Sequence, residues 1–240
     1  MCDCENIPMS CVDTAEVRQA KVMHIAQMLA CSSSPSVSNE QRLFAYHELS
    51  KFEAEDHEFP GFLAFLFAGK ASSATGEFDL PVRLGAGFLL KNIVLRRLST
   101  LSDQIKEDCK AAALSAISNP LEKIRNTSST MIATFVQKMG LASWAGLVDR
   151  LISGLESSNV CEVDGAFEAL HKICEDVPEQ VVKLDNGAAF ERLFVMITRY
   201  LLCNHESFQV KAIQCINQFL ILFPPVMMKN SDHLVKVISL

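Results

Sequence analysis

The residues of this chain with the most obvious chemical potential are two pairs of neighbouring histidine and glutamate. His47-Glu48 and His57-Glu58 each place an imidazole beside a carboxylate, the groups that general acid–base catalysis uses. No H-E-x-x-H helix, nucleophile motif or glycine-rich phosphate loop accompanies them. The sequence therefore predicts a protein that is not an enzyme, with these four side chains as solvated helix residues.

Three cysteines near the start, Cys2, Cys4 and Cys11, raise the question of a metal site. Their spacing is not the paired C-x₂₋₄-C pattern of zinc modules, and no histidine lies nearby. A metal site and free thiols on a loose tail are the two interpretations, and the spacing favours free thiols. We expect no metal and no cofactor.

A stripe of acidic residues is a candidate partner-binding surface. Asp164, Glu168 and Glu175 are separated by four and seven residues, so one helix from Val160 to Val177 would place them near one face. That face is either a surface for a basic partner or an ordinary solvated face. The opposite face, with Phe167 and Leu170 among its residues, is expected to be core.

A polar pair, Lys91 and Asn92, interrupts the apolar stretch from Gly87 to Leu98. Asparagine is a poor residue for a helix interior, because its side chain competes for backbone hydrogen bonds. The pair is therefore predicted to have a use, either a hydrogen bond to a neighbouring repeat or a contact with a binding partner.

The elements that must position these residues are helices. Apolar residues recur at steps of three and four, for example Val22, Ile25, Ala26 and Leu29, and short polar breaks separate the stretches. The next predicted helix has an apolar face formed by Leu43, Tyr46, Leu49 and Phe52. Amphipathic stretches are predicted at 15–30, 38–52, 61–68, 81–98, 102–117, 121–139, 144–155, 160–177, 188–202, 207–223 and 233–240.

Composition agrees with a helical protein that remains in the cytosol or nucleus. The chain is 49% hydrophobic, with only 10 glycines and 8 prolines among 240 residues. No apolar stretch predicts a membrane span, and residues 1–10 lack the features of a secretory signal. The net charge of −6 argues against nucleic acid as the main partner.

A repeat underlies the helix pairs. Residues near the first turn of each second helix align at intervals of about 40 to 47 residues, the period of HEAT repeats; they are Arg42, Arg83, Arg125, Asp164 and Lys211. Small residues such as Gly165 follow the charge and let helices approach closely. The arginines are expected to pair with acidic residues of the next repeat, and a basic partner site is the alternative.

The predicted fold class is an all-α, right-handed superhelical HEAT-repeat solenoid of helix pairs, with about five repeats and the start of a sixth. A compact helical bundle is the structural alternative, but it has no reason to keep a repeat period. Residues 1–13 are expected to form a flexible tail, and residues 14–240 the repeat region, truncated within the sixth repeat. Second helices are expected to line the concave face.

Five segments resemble one family in order and spacing. The resemblance is to the transportins, the karyopherin-β2 branch of the importin-β superfamily, and the string at 165–176 resembles their fourth HEAT repeat. The "LKN" element at 90–92 is shared with the superfamily's second repeat. The segments are GAFEALHKICED at 165–176, LLKN at 89–92, WAGL at 144–147, INQFL at 216–220 and FPGF at 59–62.

This resemblance implies a nuclear import receptor whose N-terminal arch binds Ran-GTP through its second helices. It also implies Phe-Gly nucleoporins and nuclear-localisation-signal cargo as partners, with cargo expected to need repeats beyond Leu240, and shuttling between cytoplasm and nucleus. The candidate Ran contacts are Lys91, Asn92, Asp164, Glu168 and Glu175. The alternative function is a HEAT-repeat scaffold or adaptor subunit of a multiprotein enzyme complex.

Overall fold

A computed structural model describes residues 12–69, 78–220, 222 and 227–228. Every regular element in these residues is a helix, which confirms the predicted all-α class. The α-helices are α1 (Val12–Ser33), α2 (Asn39–Glu55), α3 (Phe59–Ala68), α4 (Leu80–Arg97), α5 (Asp103–Ala116), α6 (Glu122–Met139), α7 (Leu147–Leu155), α8 (Val160–Asp176), α9 (Pro178–Lys183), α10 (Ala188–Tyr200) and α11 (Glu206–Asn217).

These helices reproduce the predicted pairs within three residues at each end, except that α11 ends at Asn217, before the predicted end at 223. The successive pairs are α1 with α2, α3 with α4, α5 with α6, α7 with α8, and α10 with α11. Short α9 was not predicted, because six residues carry too little periodicity to be recognised as a helix. Pro178 opens α9, where its missing N–H leaves no hydrogen bond unmade.

The chain divides into two compact units, residues 1–86 and 87–240. In the first unit, α1 packs against α2 and α3. Ile25 and Leu29 of α1 are buried as predicted. The face predicted for α2 is only half right: Leu49 is buried, whereas Leu43 and Tyr46 are 58% and 57% exposed. The buried face of α2 instead runs through Ala45, since a small residue lets α1 lie close.

Local hydrogen bonds fix where the helices of the first unit begin and end. Ser38 and Gln41 form a capping box at the start of α2. Gly69, in the left-handed region at φ +66°, ends α3. The buried Arg83 guanidinium donates to the carbonyl oxygens of Phe67 and Ala68, so it satisfies acceptors that the end of α3 leaves open.

In the second unit, corresponding helices of successive repeats pack against each other. The second helices α6, α8 and α11 contact one another in order, and the first helix α7 contacts α10. Each pair also packs internally, as α5 does with α6 and α7 with α8. This nearest-neighbour packing is what a HEAT array requires, since no single pair can bury its own apolar face.

Gly165 explains how closely α8 can approach its neighbour. A Cβ placed on Gly165 would lie 2.0 Å from the carbonyl oxygen of Ile117, which is far inside contact distance. The Gly165 carbonyl oxygen in turn accepts a hydrogen bond of 3.3 Å from buried Ser129 of α6. The expectation that small residues permit close helix packing is therefore confirmed at this position.

Several predictions fall on residues 1–11, 70–77 and 229–240, which lie outside the described residues. They concern most of the tail, Cys2, Cys4 and Cys11, the loop before Phe78, and the last helix, from His233. Helix α1 begins at Val12, two residues before the predicted start of the repeat region. Among the described helices, none combines the length and the apolar character needed to cross a bilayer.

Candidate partner-binding site

Asp164 of α8 lies between two cations from the neighbouring repeats. Its Oδ2 accepts from Arg125 Nε of α6 at 2.9 Å, and its Oδ1 accepts from Lys211 Nζ of α11 at 2.7 Å. Arg125 is itself held by the carbonyl oxygens of Asn119 and Pro120. The Asp164 side chain is only 19% exposed, so these ion pairs are largely withdrawn from water.

Glu168, one turn further along α8, continues this arrangement. Its Oε2 lies 3.1 Å from Lys211 Nζ, and its Oε1 accepts from Lys172 Nζ at 2.7 Å. Lys211 therefore bridges both carboxylates of α8. We call Arg125, Asp164, Lys211, Glu168 and Lys172 the inter-repeat ladder, because it ties α6, α8 and α11 together.

The electrostatics of the ladder favour its charged form. Partial burial would raise the pKa of Asp164, but hydrogen bonds and charges from Lys211 and Arg125 outweigh burial and lower it. The pKa of Glu168 is lowered in the same way, by Lys172 and Lys211 against partial burial. For Lys211, burial would lower the pKa, but its two carboxylate partners raise it. Each ladder charge thus stabilises the others.

The ladder changes the interpretation of the acidic stripe. Asp164 and Glu168 were expected to face away from the packed core, as either a partner surface or a solvated face. They lie instead at the contacts between repeats, with their charge neutralised inside the chain. The periodicity of α8 alone could not reveal this, because Arg125 and Lys211 come from other helices.

Glu175 is the member of the stripe that remains exposed. It lies in the last turn of α8, beyond the ladder. Within the part of the chain that the structure describes, its carboxylate forms no ion pair. A carboxylate near a helix C-terminus is unfavourable to the helix dipole, so helix stability does not account for a glutamate here.

Lys91 and Asn92 of α4 are both partly exposed. No side-chain hydrogen bond or ion pair joins either of them to another described residue. The hydrogen bond to a neighbouring repeat, one of the two predicted uses, is therefore not found in that part of the chain. The next two residues, Ile93 and Val94, are fully buried, so α4 is firmly packed on its other side.

Two exposed apolar residues flank this polar pair. Phe88 is 52% exposed and Leu95 is 44% exposed. Positions 88, 91, 92 and 95 are spaced by three, four and seven residues, so they share one face of α4. We call these four residues the α4 patch. The sequence analysis missed its apolar members, although the same spacing test would have found them.

The arginines and histidines singled out by the sequence differ in their contacts and exposure. The predicted pairing of an arginine with an acidic residue of the next repeat is confirmed for Arg125. Arg42 instead donates to the carbonyl oxygens of Pro35 and Val37 in its own repeat. His47 and His57 are exposed. In the described ranges, no group of three His, Cys, Asp or Glu side chains could hold a metal ion.

Known proteins with similar sequences carry the names of import receptors. The chain is 28% identical to human Transportin-1 over 219 residues, which covers 90% of this chain and 23% of the relative. It is 32% identical to Importin subunit beta-2 of Schizosaccharomyces pombe over 153 residues, 61% of this chain and 16% of the relative. Rice Transportin-1 is 29% identical over 180 residues, with 20% of its length covered. No protein-family model matches the chain.

Solved structures with the same fold are karyopherins. A Kap95–Nup1 complex matches with a TM-score of 0.72 at 18% identity, over 91% of this chain and 26% of that one. Kap121p bound to RanGTP matches with a TM-score of 0.66 at 20% identity, over 92% and 19%. Kap95p, also solved with RanGDP, matches with a TM-score of 0.72 at 20% identity, over 91% and 26%.

The chain has the helical HEAT-repeat fold of these solved structures, and its sequence is similar to transportins and importins. The predicted resemblance to the transportin branch of the importin-β superfamily is confirmed by the relatives it matches. These relatives are named as transport receptors and not as enzymes. The chain spans about a fifth of the length of the curated relatives it matches.

Proposed function

We propose that this chain is the Ran-GTP-binding region of a transportin-like nuclear import receptor. The observation that carries the proposal is the α4 patch, in which Lys91 and Asn92 lie between exposed Phe88 and Leu95. Exposed apolar side chains around a polar centre are a composition suited to protein recognition. The sequence likeness to transportins supplies the partner, and two residues of the "LKN" element at 90–92, Lys91 and Asn92, belong to the patch.

In this proposal the five candidate residues have two different roles. Lys91, Asn92 and Glu175 contact Ran-GTP directly, because their side chains are available to a partner. Asp164 and Glu168 act as positioning residues, since the inter-repeat ladder holds α8 against α6 and α11. A ladder of this kind would fix the spacing of the second helices that Ran-GTP must touch.

The other partners follow from the same likeness. We propose Phe-Gly nucleoporins and nuclear-localisation-signal cargo as partners of the receptor, and shuttling between cytoplasm and nucleus as its behaviour. The Kap121p structures include complexes with Nup53p, with Ste12p and with RanGTP. Allosteric coupling between Ran-GTP and cargo requires a deformable scaffold, and an array with mainly nearest-neighbour contacts supplies one.

The test is titration calorimetry of the chain against Ran loaded with GTP or with GDP. We expect tighter binding of Ran-GTP, and at least tenfold weaker binding after the double substitution Lys91→Ala and Asn92→Ala. Glu175→Lys should weaken binding by a few-fold, mainly through the association rate, because it is an exposed charge.

Lys183→Ala is the matched control, since it removes the same charge from 76%-exposed Lys183 on α9, outside the proposed surface. Circular dichroism verifies folding of every variant. Equal affinity for the two nucleotide states, or an unchanged affinity in the folded double variant, would contradict the proposal. Binding with the same affinity to Ran-GTP and Ran-GDP is the result expected of a HEAT-repeat scaffold subunit.

A further inference from the structure

The connection between α1 and α2 is rich in serine, with five serines among residues 32–38. Three of these serines have a structural role. The hydroxyl groups of Ser32 and Ser33 donate to the carbonyl oxygen of Leu29 at 2.9 and 2.8 Å, which satisfies an acceptor at the end of α1. Ser38 caps the start of α2.

The remaining two serines, Ser34 and Ser36, cap neither helix. Their hydroxyl oxygens lie 2.9 Å apart and bond to each other. No other side-chain hydrogen bond joins either of them to a described residue. Ser36 is exposed and Ser34 is partly exposed, so both can be reached from solvent. The ends of the two helices therefore explain three of the five serines and leave this pair unexplained.

Ser34 has the sequence of a phosphorylation site. It precedes Pro35, and no other serine or threonine of the 240 residues is followed by proline. Proline-directed serine/threonine kinases require a proline directly after the acceptor residue, and they bind the acceptor segment in an extended conformation. A residue before proline is biased towards that conformation, because the proline ring clashes with an α-helical predecessor.

Arg42 of α2 is a suitable partner for a phosphate on this turn. Its Nη2 donates to the carbonyl oxygens of Val37 at 2.9 Å and of Pro35 at 3.4 Å, so the guanidinium lies against the turn. Its Nε is buried and has no hydrogen-bond partner. Because arginine has five N–H donors, these two contacts leave it able to donate to an added anion. A phosphate beside Arg42 would supply acceptors that the unmodified turn lacks.

We propose that Ser34 is a phosphorylation site for a proline-directed kinase and that Arg42 holds the resulting phosphate. The kinase transfers the terminal phosphoryl group of ATP to Ser34 Oγ, ADP leaves, and the hydroxyl proton is released. The phosphate carries a charge of about −1.5 to −2 and lies just before the first turn of α2, where the helix dipole favours an anion. Modification would therefore stabilise the turn against α2.

This inference is independent of the Ran-GTP proposal. Ser34 and Arg42 belong to the first unit, whereas the proposed Ran-GTP contacts belong to the second. Ser34→Ala should therefore bind Ran-GTP as wild type does. Failure of either proposal leaves the measurement that tests the other unchanged.

The first experiment treats the full chain with ATP and a mitogen-activated protein kinase, and mass spectrometry locates the phosphate. We expect one phosphate per chain, on Ser34. Pro35→Ala should slow incorporation about tenfold or more, and Ser34→Ala should abolish it, whereas Ser36→Ala should leave it unchanged. A peptide of residues 29–41 is the positive control for the kinase. Phosphorylation of the peptide but not of the folded chain, or a phosphate on another residue, would overturn the proposal.

The second experiment tests Arg42 by phosphorus NMR of the phosphorylated chain at several pH values. The Arg42 charge should lower the pKa of the phosphate, so the dianion forms at lower pH in wild type than in Arg42→Gln. Lys51→Gln removes an exposed charge near the other end of α2; it is the matched control and should leave this pKa unchanged. Circular dichroism verifies folding, and Arg42→Met is used if Arg42→Gln does not fold. Equal pKa values in wild type and the folded Arg42 variant would overturn the assignment of Arg42 as the phosphate's partner.

Discussion

The inter-repeat ladder and the α4 patch, both in the second unit, differ in whether their polar side chains are paired within the chain. In the ladder, each charge found by the repeat pattern is paired within the chain, at distances of 2.7 to 3.1 Å. In the α4 patch, Lys91 and Asn92 have no such partner among the described residues. Polar residues with similar spacing can thus serve internal cohesion or external recognition, and only their surroundings distinguish the two.

The comparison gives a physical criterion for the candidate site. Substitutions in and beneath the ladder should change the free energy of unfolding, because α8 packs between α6 and α11. Substitutions in the α4 patch should change binding and leave stability almost unaltered.

Phe167→Ala should have the largest effect, because it removes a fully buried ring beneath the ladder. The ring of Phe167 lies 4.8 Å from that of Tyr200 and 5.9 Å from that of Phe208, so its loss leaves a cavity between repeats. We expect a loss of about 3–5 kcal/mol in the free energy of unfolding, measured by urea denaturation. A loss below about 1 kcal/mol would contradict this packing.

Gly165→Ala should be nearly as damaging, although it adds only one methyl group. The new Cβ would meet the backbone carbonyl oxygen of Ile117, which cannot rotate away as a side chain can. We expect a loss of about 3 kcal/mol, at the upper end of the range for overpacking. Ala166→Gly, at the neighbouring buried position, is the control and should cost about 1–2 kcal/mol through helix propensity and a lost methyl group. A Gly165 variant as stable as wild type would show that α8 does not lie so close.

Asp164→Lys tests the ladder itself. The new ammonium group would lie against Arg125, which loses its carboxylate partner, and against Lys211, which keeps only Glu168. We expect a loss of about 1–3 kcal/mol in thermal or urea unfolding, with Asp164→Asn at the lower end. Glu175→Lys is the matched control from the same helix and should be almost neutral. Equal stability of the Asp164 and Glu175 variants would mean that the ladder contributes nothing.

The ladder should also make stability depend on pH in a defined direction. The pKa values of Asp164 and Glu168 are lowered from ordinary values of 3.8 and 4.5, so the folded state favours their charged forms. Their contribution is present above those ordinary values and is lost as pH falls through the lowered ones. Lys211 has a raised pKa, so its contribution is fully present below its ordinary value of 10.5 and is lost as pH rises through the raised one.

Comparison with Lys211→Met isolates this contribution. The difference in unfolding free energy between wild type and the variant should be about 1 kcal/mol and constant between about pH 6 and pH 9. It should shrink below about pH 4 as the carboxylates are protonated. Urea denaturation at several pH values measures it. A difference that grows on acidification would have the wrong sign and would exclude the ladder as its source.

The sequence predicted the repeats well because their signal is local. Helix periodicity and small residues such as Gly165 act over a few positions, and the structure places them as expected. The expectation that the arginines pair with an acidic residue of the next repeat also anticipated the contact between Arg125 and Asp164. Positions equivalent in successive repeats become neighbours when those repeats stack.

The candidate site was less predictable because burial and pairing depend on other helices. Nothing within α8 indicates that Asp164 and Glu168 receive a lysine from α11, 47 and 43 residues further along the chain. Likewise, Leu43 and Tyr46 have the spacing of a core face, but α1 packs against the neighbouring face of α2. Periodicity identifies a face of a helix, and tertiary contacts decide whether it is buried.

The smallest stability change should come from the double substitution of Lys91 and Asn92 with alanine. Neither side chain has a partner among the described residues, and alanine has the highest helix propensity. The free energy of unfolding should therefore change by at most about 0.5 kcal/mol, and the change can be an increase. Urea denaturation measures this change, and the Ran-GTP titration on the same preparation measures binding. Unchanged stability with a tenfold loss of affinity is the result that defines a recognition surface. A stability loss above about 1.5 kcal/mol would place the pair with the inter-repeat ladder, as residues whose role is to hold the fold together.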